Sequence, residues 1–165
     1  MAGPDTLLID LLAANAQWAK DIEAARPGFF QESVKVVVVG HTECGGATAC
    51  LTAAQRKTFP EDGPLLTIPT LSYDAPLNQW LEPLTRLVGM LGLSTTPKEE
   101  ALPVVVEENV KQQVENLSRT ATLLNAWASN DSRRNVRVHG WVYSLDTGLL
   151  KDLQVTKGAF TRVIE

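Results

Sequence analysis

The chain has 165 residues, of which 44% are hydrophobic and 21% are charged. This length and balance are typical of one globular domain, and they exclude a disordered chain, a collagen-like repeat and a coiled coil. The formal net charge of −4 argues against a nucleic-acid partner, because binding to phosphates needs clustered lysine and arginine. With two cysteines and two histidines, any soft-metal chemistry depends on four side chains and the carboxylates.

The cysteines, Cys44 and Cys50, are too few for the disulfide framework of a small secreted domain. No segment reaches the roughly 18 apolar residues that cross a bilayer, and the N-terminus lacks the features of a signal peptide. We therefore expect a cytoplasmic protein with reduced thiols and no membrane partner.

The first predicted element is an amphipathic helix over residues 5–25. Its apolar residues recur at steps of three and four, which places them on one face: Leu7, Leu11, Ala14, Trp18, Ile22 and Ala25. Asp5 can cap the first turn, and the Pro27-Gly28 pair ends the helix. Such a helix needs a surface to pack on, because helix propensity alone rarely stabilises it.

A strand follows over residues 34–39, where the sequence VKVVVV is nearly all β-branched. This pattern predicts a strand that is buried on both faces, as in a parallel sheet covered by helices. A loop over residues 40–46 (GHTECGG) and a helix over residues 47–55 come next. A strand, a glycine-bearing loop and a helix in this order are the setting in which open α/β sheets place their sites.

The middle of the chain is mainly helical. Residues 57–74 contain several prolines and indicate a loop, and residues 75–91 carry an apolar helical stripe. Pro83 lies inside that stripe, so we expect it to kink or split the helix. Residues 98–128 predict two helices with a bend near Ser118.

The C-terminal part returns to strands. A polar loop over residues 130–135 precedes a strand over residues 136–143, a turn over residues 146–148 and a hairpin strand over residues 149–155. The fold class is therefore α/β, but two or three strands are few for such a sheet.

His41 and Cys44 form the closest pair of soft-metal donors in the sequence. Zinc accepts imidazole nitrogen and thiolate sulfur, and donors three positions apart on a strand-to-helix loop can face one ion. The spacing H-x-x-C is a weak signal by itself. A buried Cys44 beside a hydrogen-bonded His41 at a tight turn explains the same residues without a metal.

Four blocks of the sequence resemble the β-class carbonic anhydrases, in particular fungal and bacterial members. They lie in the family's order and cover almost the whole chain: Asn15 to Phe30, Val36 to Ala49, Val104 to Leu117 and Val138 to Leu153. The resemblance implies reversible hydration of CO2 to bicarbonate on a zinc ion held by two cysteines and one histidine. On that basis His41 and Cys44 match the histidine and the second cysteine of the zinc site.

The sequence departs from the family between the first helix and the first strand. There the family has a strand ending in C-x-D-S-R, which supplies the first zinc cysteine and an Asp–Arg pair that orients the zinc-bound water. In this chain Ser33 leads directly into Val34, and the motif is absent. The resemblance therefore implies a truncated member with a reduced, mostly parallel sheet flanked by helices and a partial Zn²⁺ site.

Three other residues are weaker candidates for the missing ligand. Cys50 lies six residues after Cys44 and would sit roughly 9 Å further along a helix, too far for a zinc–sulfur bond of about 2.3 Å. We expect Cys50 to be a core residue, His139 to be a hydrogen-bonded core residue, and Glu43 to face solvent. The SNDSR sequence of residues 129–133 resembles the lost motif with serine as its first residue, but serine binds zinc poorly.

The family mechanism and the missing block together predict a carbonic anhydrase homologue whose activity is weak or lost, with no catalytic residue retained. One alternative is an active enzyme in which water, an anion or another subunit completes the zinc site. Another is a non-catalytic dimerisation or regulatory partner of full-length carbonic anhydrases. A phosphate-binding role for Gly45 and Gly46 is disfavoured, because the loop lacks the glycine spacing of known fingerprints.

The resemblance also implies association. Family members form dimers in which the N-terminal helix packs across the partner, and loss of two strands would expose a sheet edge. We expect a homodimer or larger oligomer with a swapped N-terminal helix. The chain is then a single domain over residues 1–165, with a helical arm at 1–30 and a core at 34–165.

Overall fold

The computed structural model describes residues 4–27, 35–56, 66–129 and 136–159. Within these ranges, the helices and strands follow in the order α1 (Pro4–Ala25), β1 (Lys35–His41), α2 (Gly45–Ala54), α3 (Pro76–Met90), α4 (Lys98–Ser118), α5 (Ala121–Ala128), β2 (Arg137–Tyr143) and β3 (Leu150–Asp152). The predicted loop at residues 130–135 and the first part of the predicted loop at residues 57–74, residues 57–65, lie outside the described residues. None of the described helices is both long and apolar enough to cross a membrane.

The sheet has the order β1-β2-β3. β1 and β2 are parallel, with Lys35 opposite Arg137 and His41 opposite Tyr143, and β3 returns antiparallel to β2. The predicted hairpin strand is shorter than expected, because Gln154 adopts a left-handed φ of 58° soon after β3 ends. Because β1 and β2 are parallel, their C-terminal ends lie at the same edge of the sheet. The loop that joins β1 to α2 begins at this edge.

α4 covers one face of this sheet. Three of its buried residues, Val106, Val110 and Val114, pack on β1 and β2. Gly40 and Gly140 lie directly beneath: a Cβ on Gly40 would be 2.7 Å from a methyl group of Val110, and one on Gly140 would be 3.1 Å from methyl groups of Val110 and Val114. The helix therefore sits close to the strands because these two positions carry no side chain.

The opposite face of the sheet is the main difference from the sequence prediction. Burial on both faces of β1 was the wrong expectation, because Val39 is 51% exposed and His41 is exposed. On β2 the buried residues alternate with half-buried or exposed ones, so His139, Trp141 and Tyr143 share the face away from α4. Within the described residues, α4 is the helix that packs against both β1 and β2.

The helical predictions are mostly confirmed. The bend near Ser118 separates α4 from α5, and Thr120 caps α5 by accepting a hydrogen bond from the backbone N–H of Leu123. Of the two predicted effects of Pro83, a kink or a split, the split does not occur, since α3 runs unbroken from Pro76 to Met90. Pro83 is exposed, whereas the stripe on either side of it is buried in the core, so tertiary packing holds the helix together.

Candidate metal position and its neighbourhood

The loop that joins β1 to α2 holds both predicted zinc ligands. β1 ends at His41, Cys44 is the residue before the first turn of α2, and the helix begins at Gly45. Two hydrogen bonds attach the loop to the end of β2. The backbone N–H of Thr42 donates to the Tyr143 carbonyl (3.0 Å), and the Thr42 hydroxyl accepts from the N–H of Leu145 (2.9 Å).

His41 is exposed, and its ring has a defined hydrogen-bond partner. Nδ1 lies 2.8 Å from the carbonyl oxygen of Thr42. Because a carbonyl oxygen only accepts hydrogen bonds, this contact requires the proton on Nδ1, which leaves the lone pair of the neutral ring on Nε2. Metal-bound histidines commonly donate their second ring N–H to a carbonyl in this way. His41 is therefore prepared to offer one nitrogen ligand toward solvent.

Cys44 is half-buried and is a free cysteine. It occupies the cap position of α2 with extended backbone angles, and its side chain makes no capping hydrogen bond. Its sulfur lies beside Gly46, where an added Cβ would be 4.0 Å away. A sulfur at a helix N-terminus, without a capping role, suits a soft metal or another electrophile.

The expected orientation of Glu43 agrees with the structure, because the residue is exposed. Its backbone takes a φ of 56°, in the left-handed region that non-glycine residues rarely adopt. This conformation produces the tight turn between His41 and Cys44.

The parts of the chain that the structure describes offer no third protein ligand near this pair. Among the described residues, no group of three or more His, Cys, Asp or Glu side chains is arranged to hold a metal ion. The donor types of His41 and Cys44 fit zinc, but two donors are fewer than the three protein ligands of catalytic zinc sites. The described residues therefore do not form a complete zinc site.

Cys50 is a core residue, as predicted. It has 0% exposure on α2, and its sulfur donates a long hydrogen bond to the Leu81 carbonyl at 3.7 Å. Burial raises the pKa of the Cys50 thiol, the hydrogen bond with Thr85 partly offsets this rise, and the charge of Cys44 adds to it. Cys50 is thus a thiol inside the core and not a metal ligand.

His139 is hydrogen-bonded, as expected, but it is not a core residue. Its Nδ1 lies 2.9 Å from the Thr156 hydroxyl, and its ring is 6.3 Å from that of Trp141. The side chain is only half-buried because it lies on the sheet face away from α4. Ser129 ends α5, and the rest of the SNDSR sequence lies outside the described residues.

Sequence reasoning missed a cavity of about 690 Å³ beside the loop. Thr42 and Glu43 line it, together with the start of α4 and the β2–β3 hairpin, whereas His41 and Cys44 do not. The three segments are far apart in sequence, so no local motif marks the cavity. The adjacent pair Leu149-Leu150 could have indicated it. Neighbouring side chains in a strand point to opposite faces, so both leucines cannot face the same core.

Comparison with known proteins identifies the family. The family profile for carbonic anhydrases matches residues 31–150. A carbonic anhydrase from Emericella nidulans is 30% identical over 123 residues, which cover 73% of this chain and 45% of that protein. The chain thus spans less than half the length of this curated relative.

Solved structures with a similar fold include several β-carbonic anhydrases. The enzyme from Coccomyxa, solved with acetazolamide, has a TM-score of 0.54 and 21% identity over 87% of this chain and 85% of that chain. CafA from Aspergillus fumigatus has a TM-score of 0.52 and 18% identity over 91% of this chain and 92% of that chain. One of two tetrameric enzymes from Sordaria macrospora has a TM-score of 0.52 and 17% identity, covering 92% and 99%. The chain therefore belongs to the carbonic anhydrase family that the profile describes, and its fold is that of the β-carbonic anhydrases.

Proposed function

We propose that this chain is a reduced carbonic anhydrase homologue that catalyses the hydration of CO2 to bicarbonate weakly or not at all. In this proposal His41 and Cys44 hold Zn²⁺ as a partial site. The observation that supports it most strongly is the absence of a third ligand beside these two among the described residues. The sequence also contains no C-x-D-S-R motif, which the family resemblance associates with a further cysteine and an Asp–Arg pair.

Two protein ligands have a predictable consequence for the metal. A tetrahedral zinc ion with two protein donors must take its other ligands from solvent or from another molecule, so it dissociates easily. We therefore assign no catalytic step to a metal in this chain. A reducing compartment such as the cytoplasm suits a free cysteine donor and is part of the same proposal.

Zinc binding tests this proposal directly. Metal-free protein is titrated with zinc in competition with a chromophoric chelator, next to His41→Ala and Cys44→Ala. We expect weak binding that each substitution reduces by at least about tenfold, a loss seen even for groups that only support ligands. Cys50→Ala is the matched control, because it removes the other cysteine and should leave zinc affinity unchanged.

Tight stoichiometric zinc in the unmodified protein would contradict the proposal, since it requires a complete ligand set. Binding that survives both substitutions would contradict the assignment of the site to His41 and Cys44.

We further propose that the chain assembles as a homodimer or larger oligomer, as one domain with an N-terminal arm that swaps between copies. Within the described residues, α1 makes no extensive contact with any other helix or strand. Ile9, Leu12 and Trp18 on this helix are at least half exposed. An amphipathic helix of this kind is stabilised by packing against an apolar surface.

The sheet face away from α4 offers such a surface. It carries Val39 and Tyr143, which are 51% and 38% exposed. This face therefore leaves apolar surface in water, and an amphipathic helix from a second copy would cover it.

The same two surfaces favour a second candidate function, that of a non-catalytic partner of full-length carbonic anhydrases. Such a partner would use its arm and its open sheet face to join an intact relative. Co-expression of this chain with a full-length homologue carrying a different affinity tag should then yield heterodimers. Recovery of homo-oligomers alone would contradict this role.

A further inference from the structure

The cavity beside the loop that joins β1 to α2 has the size of a ligand pocket. Its volume of about 690 Å³ falls within the roughly 300–1,000 Å³ of small-molecule sites. Three segments form it: the turn after β1, the first turns of α4, and the hairpin between β2 and β3. Because neither candidate zinc ligand lines the cavity, its chemistry is separate from the metal position.

The floor of the cavity is apolar. Leu102 and Val106 from α4 and Val142 from β2 are buried there. The hairpin adds Leu149 and Leu150, which are 68% and 54% exposed. Two adjacent leucines at the mouth of a cavity leave apolar surface in water, and a bound apolar group would cover it.

The rim of the cavity is acidic. Glu43, Glu99 and Asp146 line it, and none of them forms an ion pair with another residue in the described parts of the chain. Glu107 also lines the cavity but is paired with Lys151 at 2.6 Å, a contact that ties the hairpin to α4. Four lining carboxylates face two lysines, so the rim carries a net negative charge.

The charge of the rim selects the kind of ligand. The carboxylates of Glu43, Glu99 and Asp146 line the cavity and accept hydrogen bonds, so they favour a ligand that carries positive charge and donates hydrogen bonds.

We propose that the cavity binds a small organic amine in its protonated form. The ammonium group lies among Glu43, Glu99 and Asp146, and the apolar body of the ligand covers Leu149 and the floor. A primary or secondary ammonium fits better than a quaternary one. It can donate hydrogen bonds, and none of the described residues that line the cavity is aromatic, whereas quaternary ammonium groups prefer an aromatic cage.

The test uses three probes with the same body and different head groups. 3-Phenylpropylamine, 3-phenylpropionate and 3-phenylpropanol are titrated into the full chain, and binding is followed by calorimetry and by backbone NMR shifts of the hairpin. We expect the amine to bind at least severalfold more tightly than the other two. Its affinity should fall with added salt, because the rim carboxylates are exposed to solvent.

Substitutions at the rim distinguish amine binding in this cavity from non-specific amine binding elsewhere on the protein. Asp146→Asn and Glu99→Gln should each weaken amine binding about two- to fivefold, the effect of one exposed charge pair. Glu100→Gln is the matched control, because Glu100 lies in the same first turn of α4 but does not line the cavity. Leu149→Ala should also weaken binding without unfolding the protein, since the side chain is mostly exposed.

Three results would overturn the proposal. The carboxylate or the alcohol could bind as tightly as the amine. Asp146→Asn and Glu100→Gln could have the same effect. The hairpin shifts could depend on protein concentration and not on the amine, which would mean that a second copy fills the cavity. Zinc has no part in the proposal, so the outcome is independent of the metal titration.

Discussion

Cys44 and Cys50 are six positions apart in the sequence but lie in different surroundings. Cys44 is half-buried at the start of α2, whereas Cys50 is enclosed between α2 and α3. The family resemblance and the helical rise were enough to distinguish them from sequence. The hydrogen bond of His41 with the Thr42 carbonyl was not predictable, because it depends on the rotamer that the ring adopts at the end of β1.

The raised pKa of Cys50 predicts how stability changes at alkaline pH. Burial favours the neutral thiol in the folded state, so the folded protein keeps its proton where the unfolded chain releases it. The contribution to the free energy of unfolding is therefore fully present below the ordinary thiol pKa of 9.0. It decreases as the pH rises from that value through the folded pKa.

Urea unfolding at a series of pH values measures this contribution. The free energy of unfolding should fall more steeply above the ordinary thiol pKa in the unmodified protein than in Cys50→Ala. Cys44→Ala serves as the control and should keep the steeper fall. Equal slopes in the unmodified protein and Cys50→Ala would show that the thiol stays protonated in both states or ionises in both.

At the scale of elements, the close packing of α4 on the sheet depends on glycine. A Cβ at Gly140 would lie 2.7 Å from a methyl group of Val155 and 3.1 Å from methyl groups of Val110 and Val114. Valine side chains are restricted at χ1, so they cannot turn away without moving the backbone. Gly140→Ala should therefore destabilise the fold by about 1–3 kcal/mol.

Gly89→Ala is the matched control for this prediction. Gly89 lies in the last turn of α3, and an added Cβ there meets nothing within 4 Å. Alanine is favoured over glycine in helices, so this change should be neutral or stabilise by about 0.5 kcal/mol. Urea unfolding of both variants checks the pair, and an equal effect of the two substitutions would contradict the packing of α4 on β2.

The helices were predictable because their apolar residues follow the helical period and are bounded by capping and breaking residues. The two helices on either side of Ser118 are an example, and the predicted bend between them is present. The burial of β1 was not predictable, since a run of valines looks the same whether helices cover one face or two. The continuity of α3 through Pro83 depends on packing from other segments, which the local sequence does not contain.

For the whole molecule, the exposed arm and the open sheet face predict self-association. Trp18→Asp places a charge in the middle of the apolar stripe of α1, where Trp18 is 50% exposed, and should shift the oligomer toward monomers in multi-angle light scattering. Ala16→Asp adds the same charge at an exposed position on the opposite side of α1 and should leave the oligomer intact. A monomeric unmodified protein, or equal dissociation of both variants, would contradict assembly through the arm.

The central claim of the proposed function is that a family member whose described residues offer no third zinc ligand beside His41 and Cys44 has little hydratase activity. Stopped-flow measurement of CO2 hydration, on a zinc-supplemented sample whose bound zinc is quantified, tests it most directly. We predict a rate close to that of buffer with free zinc at the same concentration, and no change on His41→Ala. A rate that rises in proportion to protein-bound zinc and is lost in His41→Ala would contradict the account.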